Sequence, residues 1–159
     1  MSKQTNNLTG ATGEYYVCAE LGRQGILALL TPKNNPLFDV IATNADATKI
    51  VSIQVKTMGL QNTQGWKLGM DICTPKNNKN LYVVLVNLTG DTVDYYIFKY
   101  DDLSKRIVKL YETYLNTLKR NGEKRKDTTL RWFNLNQFTE KERQNKNNWD
   151  VLGFNPISR

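Results

Sequence analysis

Residues 52–57 read Ser-Ile-Gln-Val-Lys-Thr, and this hexapeptide decides the fold. With Lys49-Ile50-Val51 ahead of it, it alternates in a way that predicts a β-strand from Lys49 to Thr57. Ile50, Ser52, Gln54 and Lys56 share one face; Val51, Ile53 and Val55 share the other. One face packs. The other sets an amide and an ammonium two residues apart, with nothing nearby in the sequence to pair the lysine. Taken alone, that face reads as a solvated strand surface with a lysine guarding an edge.

Working upstream, Leu37 to Thr43 predicts a second strand, and Asn44-Ala45-Asp46-Ala47 predicts the turn of a hairpin into Lys49–Thr57. "TPKNNP", residues 31 to 36, is turn chemistry, and Ile26 to Leu30 is a short apolar run that reads as a buried strand. Ahead of it lies a helix, capped at Thr9 or Thr12, running to about Gln24 and stopped by Gly25. Residues 1 to 7 read as a loose polar tail without a signal-peptide core, which predicts a cytoplasmic location.

Downstream, the glycine-containing stretch 58 to 69 predicts a mobile loop carrying Trp66, either a lid or base-stacking residue or a core tryptophan. Met70 to Thr74 predicts a short strand. Leu81 to Val86 is the strongest strand signal in the chain, and Thr92 to Phe98 its hairpin partner. Asp101 or Asp102 caps a long helix ending at Asn121-Gly122, with Leu103, Ile107, Leu110, Tyr111, Tyr114 and Leu118 on its apolar stripe. Thr129 to Leu135 reads as a strand. Thr139 with Glu142 forms a capping box, and Trp149 to Phe154 tucks back onto the body. The order helix, strands, helices predicts a single α/β domain over residues 1–159.

Composition bounds the chemistry. The chain of 159 residues is 40% hydrophobic and 23% charged, so it is globular, and its net charge of +7 favours a polyanionic partner. There is no histidine. This removes Ser-His-Asp and Cys-His triads, histidine-ligated zinc and histidine general bases together. No phosphate-cradling glycine loop is present. Cys18 and Cys73 are isolated and read as reduced thiols. Catalysis, if any, runs on carboxylates, lysine, tyrosine, cysteine or a metal.

Two carboxylates stand where apolar residues belong. Ala11, Glu14, Val17, Cys18 and Leu21 fall on one helical face, so Glu14 sits on the stripe that meets the sheet. Asp39 lies inside Leu37-Phe38-Asp39-Val40-Ile41, although aspartate is depleted in strands. Each alone has a bland explanation, a stripe edge near the helix start or a bulge. Together with Gln54 and Lys56 they outline a pocket of oxygen ligands beside an amine. Such a set can hold Mg²⁺, which lowers the pKa of a bound water and neutralises phosphoryl charge. A lysine alongside orients that water or helps deprotonate it.

Gly13-Glu14, Phe38-Asp39 and Gln54-Val55-Lys56 resemble the PD-(D/E)xK nuclease superfamily, which includes restriction endonucleases and Holliday-junction resolvases. The resemblance covers residues 10 to 57, and loosely the strands to about 98. It implies a restriction-endonuclease-like core over 8–100, a mixed central β-sheet flanked by helices, with 101–159 as a helical and basic C-terminal part. It further implies a Mg²⁺-dependent endonuclease acting on DNA rather than RNA, with Mn²⁺ as an alternative ion. Glu14, Asp39 and Gln54 would be the metal ligands, and Lys56 would support the water. Two positions depart from the pattern. Phe38 occupies the usual proline position, Pro36 standing three residues before Asp39. Gln54 replaces the second acid, so the site loses one negative charge and its metal affinity should fall.

Lys119, Arg120, Lys124, Arg125, Lys126 and Arg131, with Trp132, form a basic cluster with an aromatic, suited to a phosphate backbone or equally to a solvated loop. Lys76 and Lys79 lie in a loop that could approach the same substrate. A homodimer would set two sites across two strands. The rival expectations are a nucleic-acid-binding module of the same fold without catalysis, and a protein-interaction domain.

Overall fold

A computed structural model describes residues 3–33, 35–62 and 64–154, with side chains from residue 7 onward. The first helix, α1 (Lys3–Arg23), runs back further than its sequence suggests. The expected tail at 3–7 is helical, and Met1 and Ser2 lie outside the described residues. Thr12 does not cap the helix: its Oγ1 donates to the Leu8 carbonyl at 2.8 Å inside it, a bond that satisfies the hydroxyl without ending the helix. The stop is where the glycine put it. Ile26 N–H donates to Leu21 O at 3.0 Å and Gly25 N–H to Gly22 O at 2.9 Å, the paired bonds of a Schellman ending. Gly25 takes the left-handed conformation this requires, at φ 78°.

Strands β1 (Leu27–Leu30), β2 (Val40–Thr43) and β3 (Ile50–Met58) follow as an antiparallel meander. Strand β1 is the open edge of the sheet, not a buried strand, and Leu27 and Leu29 are more than half exposed. The chain then crosses to the far side of β3. It passes through β4 (Trp66–Gly69) and a 3₁₀ turn at Met70–Cys73, and enters β5 (Leu81–Asn87) parallel to β3. Strand β6 (Asp94–Lys99) returns antiparallel and completes a five-stranded mixed sheet in the order β1-β2-β3-β5-β6. Every residue of β5 is buried. A central strand covered on both faces reads as an unbroken apolar run, which is why its signal was strongest.

Helix α2 (Tyr100–Asn116), strand β7 (Leu130–Phe133) and the one-turn α3 (Glu140–Arg143) complete the elements. The start of α2 has no side-chain cap. Asp101 and Asp102 instead sit in its first turn, where the helix dipole favours them. Asp101 also accepts from the Lys76 N–H at 2.7 Å. The helix ends five residues earlier than Asn121-Gly122, which instead close a turn with Gly122 at φ 80°. The capping box is as read: Thr139 Oγ1 accepts from Glu142 N–H at 3.2 Å and Glu142 Oε2 from Thr139 N–H at 2.7 Å.

The two faces of the sheet carry separate cores. Helix α1 lays Val17 and Leu21 on Val51, Ile53, Val55, Val84 and Ile97, and Trp149, Leu152 and Phe154 pack back onto the same cluster. The other face meets α2 and a second, two-stranded sheet formed by β4 and β7. Stretch 58–69 is therefore not simply a loop, and 70–73 is a 3₁₀ turn rather than a strand. Trp66 is fully buried, donates from Nε1 to Val86 O at 2.8 Å and lies 5.9 Å from the Phe138 ring, so it belongs to the core. No described helix is long and apolar enough to cross a membrane.

Candidate active site

Asp39 stands one residue ahead of β2, where that strand peels away from β3. Its own N–H donates to Ile53 O, and its carbonyl accepts from Thr31 N–H, each at 2.9 Å. Phe38 turns its carbonyl to the Thr31 hydroxyl at 2.9 Å. The next N–H along β3, that of Val55, finds a side chain instead: Asp39 Oδ2 accepts from it at 2.7 Å. An aspartate within an apolar run is thus held by the sheet's own unsatisfied donor. Its Oδ1 has no hydrogen bond among the described residues.

Since Val40 pairs with Ile53, Asp39 falls beside Gln54. Gln54 is only 7% exposed, and its Oε1 has no hydrogen-bond partner among the described residues. Leaving such an atom unpaired costs about 1–3 kcal/mol. Gln54 and Lys56 pair with Val83 and Leu85, so both lie on the face opposite α1, as alternation required. Lys56 is partly exposed and forms no ion pair among the described residues.

Glu14 comes from the other side of the sheet. Its helix approaches β3 closely because residue 13 is glycine: a Cβ there would run into the Thr57 hydroxyl. Glu14 is partly buried and makes no hydrogen bond or ion pair among the described residues. Its carboxyl pKa is raised, chiefly by burial and next by the Asp39 carboxylate, while Lys33 and Lys56 pull it down. The field at Glu14 includes the charges of Asp39 and Lys56. It also adds Lys33, which the sequence reading missed. Lys33 sits in the turn between β1 and β2, and its only signal was a place just upstream of Asp39. A cavity of about 350 Å³ opens there, lined among others by Gly10, Glu14, Thr31, Lys33, Asn35 and Asp39. Gln54 and Lys56 are outside that lining.

Among the described residues, no group of three or more His, Cys, Asp or Glu side chains is placed to hold a metal. The donor set is two carboxylates and an amide, all oxygen, and the orphaned Gln54 Oε1 is the observation that fits a hard cation. The cysteines take no part. Both are free, and burial together with Glu14 pushes the Cys18 thiol up.

The basic residues divide. Arg120, Lys124 and Lys126 are exposed and without ion pairs among the described residues, as are Lys76 and Lys79. Lys119 pairs with Glu123 at 2.9 Å. Arg125 donates to Thr117 O at 2.9 Å and lies over the Tyr114 ring. Arg131 is turned inward, 5% exposed. Its guanidinium bonds the Thr128 and Leu130 carbonyls and lies 3.4 Å from the Tyr111 ring centre. It anchors the segment that carries the exposed cations.

The fold is α/β, a mixed five-stranded sheet flanked by helices. A similar solved structure is the bacterial homing endonuclease I-Ssp6803I. It matches with a TM-score of 0.51 and 11% identity, over 92% of this chain and 91% of that one. At that identity the likeness is one of fold. No protein-family model matches the chain, and no curated protein matches it.

Proposed function

We propose that the protein is a metal-dependent nuclease that hydrolyses phosphodiester bonds, DNA being its substrate and Mg²⁺ its ion, with Mn²⁺ able to substitute. The observation that carries this reading is the buried Gln54 Oε1, without a hydrogen-bond partner among the described residues, beside an Asp39 that lines one cavity with Glu14. Glu14, Asp39 and the Gln54 amide oxygen would hold the ion. When bound, it would supply a water of lowered pKa and offset charge on the phosphoryl group. Lys56, on the same strand face as Gln54 and without an ion pair among the described residues, would orient that water. Lys33 lies on the cavity side and would meet a phosphate oxygen. The net charge of +7 supports a polyanionic substrate, and the fold is shared with an endonuclease.

The test is nicking of supercoiled plasmid with Mg²⁺ or Mn²⁺, for the wild type, Asp39→Asn and Lys56→Ala. Metal-dependent cleavage lost in both variants supports the proposal. A wild type that binds DNA but cuts none in either metal favours the second reading, a binding module of the same fold. That reading has one specific observation behind it, the amide at Gln54 in place of an acid.

A further inference from the structure

Far along the chain from the acidic site, α2 and β7 enclose a second cavity. Its volume is about 250 Å³, and its walls include Leu110, Tyr111, Tyr114, Leu130, Arg131 and Trp132. This is below the range usual for drug-sized ligands and suits one small planar group. Trp132 and Tyr114 are 39% and 43% exposed at its mouth. Tyr114 and Tyr111 stack on each other at 5.4 Å, and Arg125 and Arg131 lie over them at 4.5 Å and 3.4 Å from the ring centres. Two guanidinium groups against two stacked rings fix the wall in place. Trp132 is left with no ring or cation partner among the described residues.

Beside this wall runs the segment 117–128. It is closed on itself by Lys119–Glu123 and by Arg125 to Thr117, so its fold is set before any ligand arrives. Arg120, Lys124 and Lys126 on it are exposed and have no ion pair among the described residues. A small, partly aromatic cavity next to a segment that carries exposed cations matches one chemistry: an aromatic base joined to a phosphodiester chain. The geometry points to a binding site for an unpaired nucleobase of single-stranded nucleic acid, stacked on Trp132 against the edge of the Tyr111–Tyr114 pair, with its phosphates along Arg120, Lys124 and Lys126. This deepens the nucleic-acid reading and rests on it, but does not need catalysis. A duplex keeps its bases stacked inside and offers the slot nothing. The substrate class is therefore a strand with an unpaired stretch.

Trp132 is its own reporter, because Trp66 and Trp149 are buried. The full chain carrying Lys56→Ala is titrated, in EDTA, with oligo-dT, with an abasic strand of the same length and charge, and with duplex DNA. Quenching of Trp132 fluorescence by oligo-dT alone is expected, and Tyr114→Ala should weaken that binding by about tenfold. Lys124→Ala with Lys126→Ala should weaken all three ligands alike and flatten the salt dependence. Circular dichroism verifies that each variant is folded. Equal binding and quenching by the abasic strand overturns the base slot. Salt-dependent binding without Trp132 quenching also overturns it, while leaving the nuclease proposal standing. Concentration-dependent self-association abolished by Trp132→Ala would assign the slot to a second copy of this chain and overturn it too. Quenching by oligo-dT from a wild type that never cuts DNA supports the slot and sinks the nuclease reading instead.

Discussion

Asp39 Oδ2 takes the hydrogen bond of the Val55 N–H at 2.7 Å, so one residue both closes the β2–β3 ladder and lines the cavity it shares with Glu14. The two duties separate by substitution. Asp39→Asn keeps an acceptor for Val55 and removes the charge. It should leave folding stability within about 0.5 kcal/mol and abolish Mn²⁺ binding followed by calorimetry. Asp39→Ala removes both, leaving Val55 N–H unpaired, and should cost a further ~1–3 kcal/mol in urea denaturation. Equal stability of the two variants would show that the bond to Val55 contributes nothing.

Gln54 is the residue at which fold and function pull apart. Gln54→Met fills the same space without the orphaned oxygen. It should stabilise the metal-free protein by roughly 1 kcal/mol while weakening metal binding. Gln54→Glu restores a third charge. It should tighten Mg²⁺ binding by about tenfold or more, and destabilise the metal-free protein by several kcal/mol, because an unpaired carboxylate would be buried beside Asp39. Added Mg²⁺ should recover that loss by linkage. A Gln54→Glu protein equally stable with and without metal would mean that this side chain does not reach the ion.

Much of this was legible along the chain, and what was not has a common cause. Strands β2, β3, β5 and β6 could be read because each one buries an alternating or continuous apolar face. Glu14, Asp39 and Gln54 stood out because polar groups at such positions need a reason. Strand β4 was hidden: four residues, Trp66–Gly69, are completed only by Leu130–Phe133, more than sixty positions away. Without that partner Trp66 sits among glycines and reads as a loop. Leu27–Leu30 misled in the other direction, since an apolar run says nothing about whether a strand lies at the centre of a sheet or at its edge. Arg131 looked like one more cation in a basic stretch. Alternation across β7, with Phe133 inward, is what turns it into the interior. Lys33 carried no signal of its own, because only the folded turn between β1 and β2 brings it to Glu14.

The raised carboxyl of Glu14 sets a pH dependence with a definite sign. Burial and the Asp39 carboxylate lift its pKa in the folded protein above the unfolded value. Ionising it therefore costs stability, and the cost appears as pH rises through the folded pKa. Metal-free Glu14→Gln should melt about 1–3 °C higher than wild type at pH 7, the gain being modest because the side chain is partly solvated. The two should melt together below the ordinary glutamate range, where both are neutral. Metal binding runs the opposite way: Mg²⁺ competes with the proton on Glu14, so wild-type affinity should fall as the solution is acidified through that pKa. A melting difference that grows on acidification would reverse the sign and mean that Lys33 and Lys56 outweigh burial and Asp39 at Glu14.

Gly13 connects packing to chemistry. Its missing Cβ lets α1 sit against Thr57, and the next residue along the helix is Glu14. Gly13→Ala places a methyl group in the space of the Thr57 hydroxyl, and the helix must move away from β3. Overpacking of this kind costs ~1–3 kcal/mol, more than Ala regains from its better helix propensity, about 1 kcal/mol. The displacement carries Glu14 away from Asp39, so metal affinity should drop even though no ligand has changed. Thr57→Gly in the same chain clears the space. It should restore metal affinity while adding its own cost within the strand, giving a non-additive cycle between two residues that never touch the ion. Strictly additive effects on metal binding would mean that Glu14 is positioned by something other than this contact.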